Sequence, residues 1–250
     1  MAIQSMPQLA SWLFQCAWGL LPQDNRHGKN WVVLSQRSDL KVAARKRGQE
    51  MQNSPKGLKT VKDVLDLYQS LREHPDLMVP IKSVLDELMR SGSRTELHND
   101  SFADALLLTG TMIRSATFSF CMIIGQGVDI FLNALRDDVE AMLERFKQGN
   151  GIARVVLVSE KTSPLLEDFK QRYPEVFDFR RTTAKPGQEK AVRHFTVTDL
   201  KSYRLEHPHG PIFETSDAHA IKAEVCFNGP KVATERTLYF EQIWDYLASV

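Results

Sequence analysis

The stretch "RHFTVTDLKSYRLE", residues 193–206, alternates polar and apolar side chains on either side of Asp199-Leu200-Lys201. Alternation at period two is the signature of a strand with two unlike faces. A three-residue loop at 199–201 sets Val197 opposite Tyr203 and Phe195 opposite Leu205, so one face is wholly apolar. The other face then gathers His194 opposite Glu206, Thr196 opposite Arg204 and Thr198 opposite Ser202. A two-residue loop would set His194 against Leu205 and Phe195 against Arg204, mixing the faces, so burial selects the first register. The polar face carries residue types used in chemistry: Glu206 can fix the tautomer of His194, and Arg204 can take an anion. The same residues also make ordinary cross-strand pairs on a solvated or covered face, each worth roughly 0.2–1 kcal/mol.

Around this hairpin the pattern alternates between helix and strand. Upstream, Asn99 or Asp100 can cap a helix over 101–115, and "FSFCMIIG" (118–125) is an apolar run of strand length, suited to a strand covered on both faces. "GQGVD" (125–129) turns into a long helix over 129–148 ended by Gly149 and Gly151. "ARVVLVS" reads as a second buried strand, "SPLLEDFKQRY" as a helix with Pro164 in its first turn, and "VFDFRR" as a short strand. Downstream, "IKAEVCFN" is a strand and "ATERTLYFEQIWDYLAS" a closing helix. This order predicts an α/β domain over 99–250, a mixed sheet sandwiched by helices in three layers.

The first 98 residues differ in character. Leu58, Val61, Val64, Leu65, Tyr68 and Leu71 recur at helical steps, which predicts a helix to about Glu73. Pro80 opens a second, with Ile81, Val84, Leu85, Leu88 and Met89 inward, and 91–99 marks the boundary with the α/β domain. Residues 26–62 hold ten lysines and arginines against Asp39 and Glu50 alone, while the whole chain is nearly neutral at +1. Arg45, Lys46 and Arg47 make this helical extension a candidate for contact with nucleic acid or with an acidic protein, although it lacks stacking aromatics and a recognition-helix signature.

Three well-separated cysteines, Cys16, Cys121 and Cys226, fit a reducing cytoplasm better than a disulfide framework. "LASWLFQCAWGLL" has 13 residues, too few to span about 30 Å of hydrocarbon, so no transmembrane segment is expected. "GQGVD" lacks the lysine and third glycine of a phosphate-binding loop and reads as a plain strand-to-helix turn. His207, His209 and His219 lie near Glu206 in sequence, but their spacing fits no familiar metal site. They read as a turn-rich loop, and neither a metal nor another cofactor is expected.

Over residues 100–250 the order of elements, the "ARVVLV" strand, the "HFTVTD" hairpin and the closing "LYFEQIWDYL" helix with Phe240 and Trp244 resemble a single-copy phospholipase D-like domain. That resemblance implies the motif H-x-K-x-x-x-x-D, in which histidine attacks phosphorus, lysine neutralises the phosphate and aspartate orients the histidine. Two such motifs meet, often between two identical chains. Anchored on Asp199, the motif puts Val192 at the nucleophile and His194 at the lysine position, so only the aspartate is kept. The motif's customary later asparagine has no clear counterpart, and no role passes to Asn228.

Valine forms no phospho-enzyme intermediate. The expectation is therefore a homodimeric, non-catalytic module acting as adaptor, inhibitor or regulator through an unidentified protein partner, with His194, Thr196, Arg204 and Glu206 lining a degenerate groove. Two alternatives stand beside it. One is a divergent phosphodiesterase or nuclease in which His194 works with Glu206, Arg204 and Asp199. The other is a nucleic-acid-binding protein acting through residues 26–62.

Overall fold

The computed structural model describes residues 59–73, 75–92, 94–183 and 193–249. Helices α1 (Val61–Glu73) and α2 (Pro75–Arg90) precede strand β1 (Glu96–Asn99) and helix α3 (Phe102–Ser115). There follow β2 (Ser119–Ile124), α4 (Val128–Ala134), α5 (Arg136–Gly149), β3 (Ile152–Val158), α6 (Pro164–Arg172) and β4 (Phe177–Thr182). The hairpin strands β5 (Phe195–Thr198) and β6 (Ser202–Glu206), strand β7 (Ala223–Cys226) and helix α7 (Pro230–Ala248) complete the described chain.

The strands form one mixed sheet in the order β1-β7-β6-β5-β2-β3-β4. β2, β3 and β4 are parallel, and the remaining pairings are antiparallel. The hairpin adopts the register required by burial, with Phe195 opposite Leu205, Thr196 opposite Arg204, Val197 opposite Tyr203 and Thr198 opposite Ser202. Asp199 and Leu200 close it at φ of 54° and 51°, and an aspartate tolerates this left-handed region better than most side chains.

Helices cover both faces. Phe120, Met122, Val155, Leu157 and Phe177 pack with Leu106, Phe131, Leu143 and Phe169 on one side. On the other, Cys121, Ile123, Val156, Phe195, Val197 and Tyr203 pack under Phe240 and Trp244 of α7. Helices α1 and α2 join the first side: Val61 and Val64 enter the larger cluster, while Leu71 and Leu85 meet Leu97, Leu108, Met112 and Val225.

Several local readings change. The helix expected over 129–148 divides at Leu135, whose φ and ψ of −102° and 12° leave the helical region. The division lets α4 pack on α1 and α6 while α5 packs on α3 and β3. Asn150, left-handed at φ 57°, caps α5 in place of a glycine. The second N-terminal helix starts at Pro75, not Pro80. Pro75 takes the first-turn position that favours proline, and Pro80 forfeits a single backbone bond one turn later.

Strand β1 was not expected. Its four residues are too few for periodicity to register, yet Leu97 and Asn99 alternate inward. Ser101, not Asn99 or Asp100, caps α3: its Oγ accepts from the Asp104 amide at 3.2 Å and donates to Asp104 Oδ2 at 2.8 Å. Asn99 is thereby released to point into the fold. Val192, Cys16, "LASWLFQCAWGLL" and the basic residues Arg45, Lys46 and Arg47 lie outside the described residues.

Candidate functional site

The polar face of the β5–β6 hairpin is not solvated. It lies on the side of the sheet packed by α3, and Thr196, Thr198, Ser202 and Arg204 are each 1% exposed. A buried polar face is stable only if its groups are bonded. Ser202 donates to the Phe227 carbonyl at 2.7 Å. Arg204 donates from Nε to Asn99 Oδ1 at 3.0 Å and from Nη1 to Glu206 Oε1. Asn99 in turn donates to the carbonyls of Ser101 at 2.9 Å and Ile221 at 3.2 Å. Among the described residues Arg204 Nη2 has no protein partner.

Glu206 is the centre of the arrangement. Its Oε2 lies 3.2 Å from His194 Nδ1 and 2.7 Å from His209 Nε2. Burial alone would raise the Glu206 carboxyl, but Arg204 beside it and hydrogen bonds from both histidines hold it well below the usual carboxylate range. His209 Nδ1 also lies 2.7 Å from the Gly210 carbonyl. Both its ring nitrogens therefore face acceptors, an arrangement that favours the doubly protonated ring. Burial opposes that charge, and the hydrogen bond to Glu206 outweighs it, so the His209 pKa stands above its ordinary value.

Two glycines make room for this cluster. A Cβ on Gly125 would stand 2.7 Å from His194 Cε1, so only glycine lets that ring lie over the β2–α4 turn. Gly127, at φ 99°, passes so close to Ile212 that a Cβ would stand 2.6 Å from its carbonyl oxygen. "GQGVD" is thus the floor of the site. The space above it, lined by Phe131, His194, Arg204, Glu206, His209 and Ile212 among others, is a cavity of about 20 Å³, room for about one water molecule.

The expected site residues separate into two places. His194, Arg204 and Glu206 come together, and Thr196 sits covered beside them. Asp199 occupies the far end of β5, where it accepts from the amides of Thr117, Phe118 and Ser119 at 2.9, 2.9 and 3.0 Å and from Thr117 Oγ1 at 2.9 Å. It ties the hairpin loop to the start of β2 and does not reach His194. Arg204, expected to await an anion, is engaged with Glu206 and Asn99. His207 and His219 stay exposed and apart, beside Glu224 and the Asp100 carbonyl respectively. Asn228 donates to the Gly92 carbonyl, away from the cluster.

Asn99, His209 and Gly125 were missed as site residues. His209, three residues after Glu206 in "EHPHG", and Gly125 in "GQGVD" were set aside as loop and turn residues, and Asn99 was read as a helix cap. Chemically, the cluster can hold a proton between three groups, orient an imidazole or donate nitrogen and oxygen ligands. The buried thiol of Cys121, pushed up to about 12 by burial, takes no part.

No protein-family model matches the chain, and no curated protein matches it. Several solved structures are similar to it. TrmBL2, an archaeal chromatin protein with a novel mode of DNA binding, shares 13% identity at a TM-score of 0.44, over 74% of this chain and 67% of its own. Nuc, a phospholipase D family member from Salmonella typhimurium, shares 13% identity at a TM-score of 0.44, over 60% of this chain and 93% of its own. NucT from Helicobacter pylori shares 12% identity at 0.39, over 58% and 89%. No helix among the described residues is long and apolar enough to cross a membrane.

Proposed function

We propose that the chain is a non-catalytic binding module on a phospholipase D-like scaffold, an adaptor or regulator that pairs as a homodimer and engages a protein partner by its surface. The observation that carries this reading is the small size of the site together with the bonding of its arginine. A cavity of about 20 Å³ is smaller than a phosphodiester, and Arg204, which lines it, is 1% exposed and bonded to Glu206 and Asn99. Thr196 is buried on the side packed by α3 and Arg204 is buried in the cavity wall, so neither offers a surface to a protein partner. Val192, at the position where the resemblance requires a histidine, offers no nucleophile.

Turnover of bis-p-nitrophenyl phosphate tests the reading: no hydrolysis is expected, and hydrolysis that disappears in His194→Ala overturns it. That outcome would favour the second reading, a divergent phosphodiesterase, for which the 3.2 Å contact between His194 and Glu206 is the supporting observation, because a carboxylate-held imidazole is poised for proton transfer. Nucleic-acid binding through residues 26–62 is read from a salt-sensitive mobility shift lost when Arg45, Lys46 and Arg47 become alanine; no shift at about 50 mM salt removes it. A monomeric mass at micromolar concentration overturns the homodimer.

A further inference from the structure

We propose that His194, Glu206 and His209 form a binding site for one divalent transition-metal ion of the zinc class. The proposal stands apart from whether the pocket turns over a phosphodiester. One donor atom from each residue lies within 4.8 Å of the other two. The atoms that converge are Glu206 Oε2, His209 Nε2 at 2.7 Å from it and His194 Nδ1 at 3.2 Å. A tetrahedral ion with bonds of about 2.0–2.1 Å spaces its ligands roughly 3.3 Å apart. The His194 pair already has that spacing. His209 must draw back by about 0.6 Å, and it sits on the β6–β7 connection, outside the sheet.

The surroundings are those of a supported site. A ligating imidazole needs its second nitrogen held, and His209 Nδ1 donates to the Gly210 carbonyl at 2.7 Å. The ligating carboxylate needs its second oxygen held, and Arg204 holds Glu206 Oε1 while Asn99 holds Arg204. Gly125 leaves space for the His194 ring. The adjoining cavity of about 20 Å³ supplies a fourth, water-sized position.

Two imidazoles and one carboxylate suit zinc, cobalt or nickel, not calcium or magnesium, which need six or more oxygens. On binding, His209 Nε2 releases its proton and His194 moves its proton from Nδ1 to Nε2. Arg204 repels any cation here, which makes the affinity lower than that of cysteine-rich sites. A bound ion would fasten the β6–β7 connection to the hairpin.

The experiment uses the full, tag-free chain stripped with a chelator and titrated with Co²⁺ and Zn²⁺, followed by visible absorption, equilibrium dialysis and thermal melting. One equivalent of metal per chain, a tetrahedral cobalt spectrum and a raised melting temperature are expected. The association constant should fall at least about tenfold in His209→Ala and in Glu206→Gln, and stay unchanged in His207→Ala with His219→Ala. His209→Asn, checked for folding by circular dichroism, stands in if Glu206→Gln does not fold. Absence of binding by the folded chain overturns the proposal, as does binding that survives His209→Ala or depends on His207 and His219. Hydrolysis of bis-p-nitrophenyl phosphate lost in His194→Ala bears on the non-catalytic reading alone.

Discussion

The His194 ring lies over Gly125 so closely that a single methyl on that glycine would stand 2.7 Å from the ring carbon Cε1. The two residues are 69 positions apart, and their contact ties the end of β2 to the entrance of β5. The strand pairing that aligns β2 with β5 ends at Ile123 opposite Phe195, the residue that follows His194, so side-chain packing continues the pairing from that point.

Gly125→Ala is therefore expected to destabilise the fold by about 1–3 kcal/mol, the usual result of overpacking a filled site. The methyl also displaces His194 from Glu206. Urea denaturation should show a lower midpoint at an unchanged slope. A midpoint equal to that of the parent chain would mean that the His194 ring moves aside freely.

Asp199→Ala removes an acceptor used by three backbone amides and one hydroxyl and puts alanine at φ 54°. Bonds to a charged acceptor and left-handed strain together put the loss at about 2–4 kcal/mol. Asp199→Asn keeps the tolerance for that conformation and part of the acceptor set, so it should lose less. Equal losses in the two variants, measured by denaturant midpoint, would contradict the role assigned to the carboxylate.

Arg204→Met leaves Glu206 buried without its principal counter-charge, and breaking a buried pair from one side costs about 3–5 kcal/mol. Combining it with Glu206→Leu removes both charges, so the double variant should be less destabilised than the sum of the singles. A double-mutant cycle that adds without coupling would show that Arg204 and Glu206 do not depend on each other.

In metal-free protein the cluster gives stability a two-sided pH dependence. The Glu206 pKa is lowered on folding, so its contribution is present above the unfolded value of about 4.3 and is lost as pH falls through the folded value. The His209 pKa is raised, so its contribution is complete below about 6.5 and is lost as pH rises through the folded value. The sum is largest between about pH 5 and 6.5. Chemical denaturation across pH in the presence of a chelator should show a decline toward pH 8 that is blunted in His209→Asn; an identical decline in that variant would place its origin elsewhere.

Period-two alternation in "RHFTVTDLKSYRLE" was enough to set the hairpin's register, because a one-residue slip would put Phe195 and Val197 among the polar groups. The apolar runs of β2 and β3 and the Phe240–Trp244 face of α7 were legible for the same reason: each is a local record of which side chains share a buried face. What periodicity does not record is what covers a face. The hairpin's second face is polar in sequence and buried in the fold, because α3 covers it and because Asn99, 105 residues from Arg204, arrives on a four-residue strand with no periodic signal of its own. The meeting of His209 with His194 and Glu206, and the glycine floor beneath them, likewise depended on chain folding over distances that no local pattern encodes. Local alternation sets the hairpin and its two faces; long-range packing buries the polar face, makes Asp199 a structural anchor remote from His194 and brings two histidines to one carboxylate.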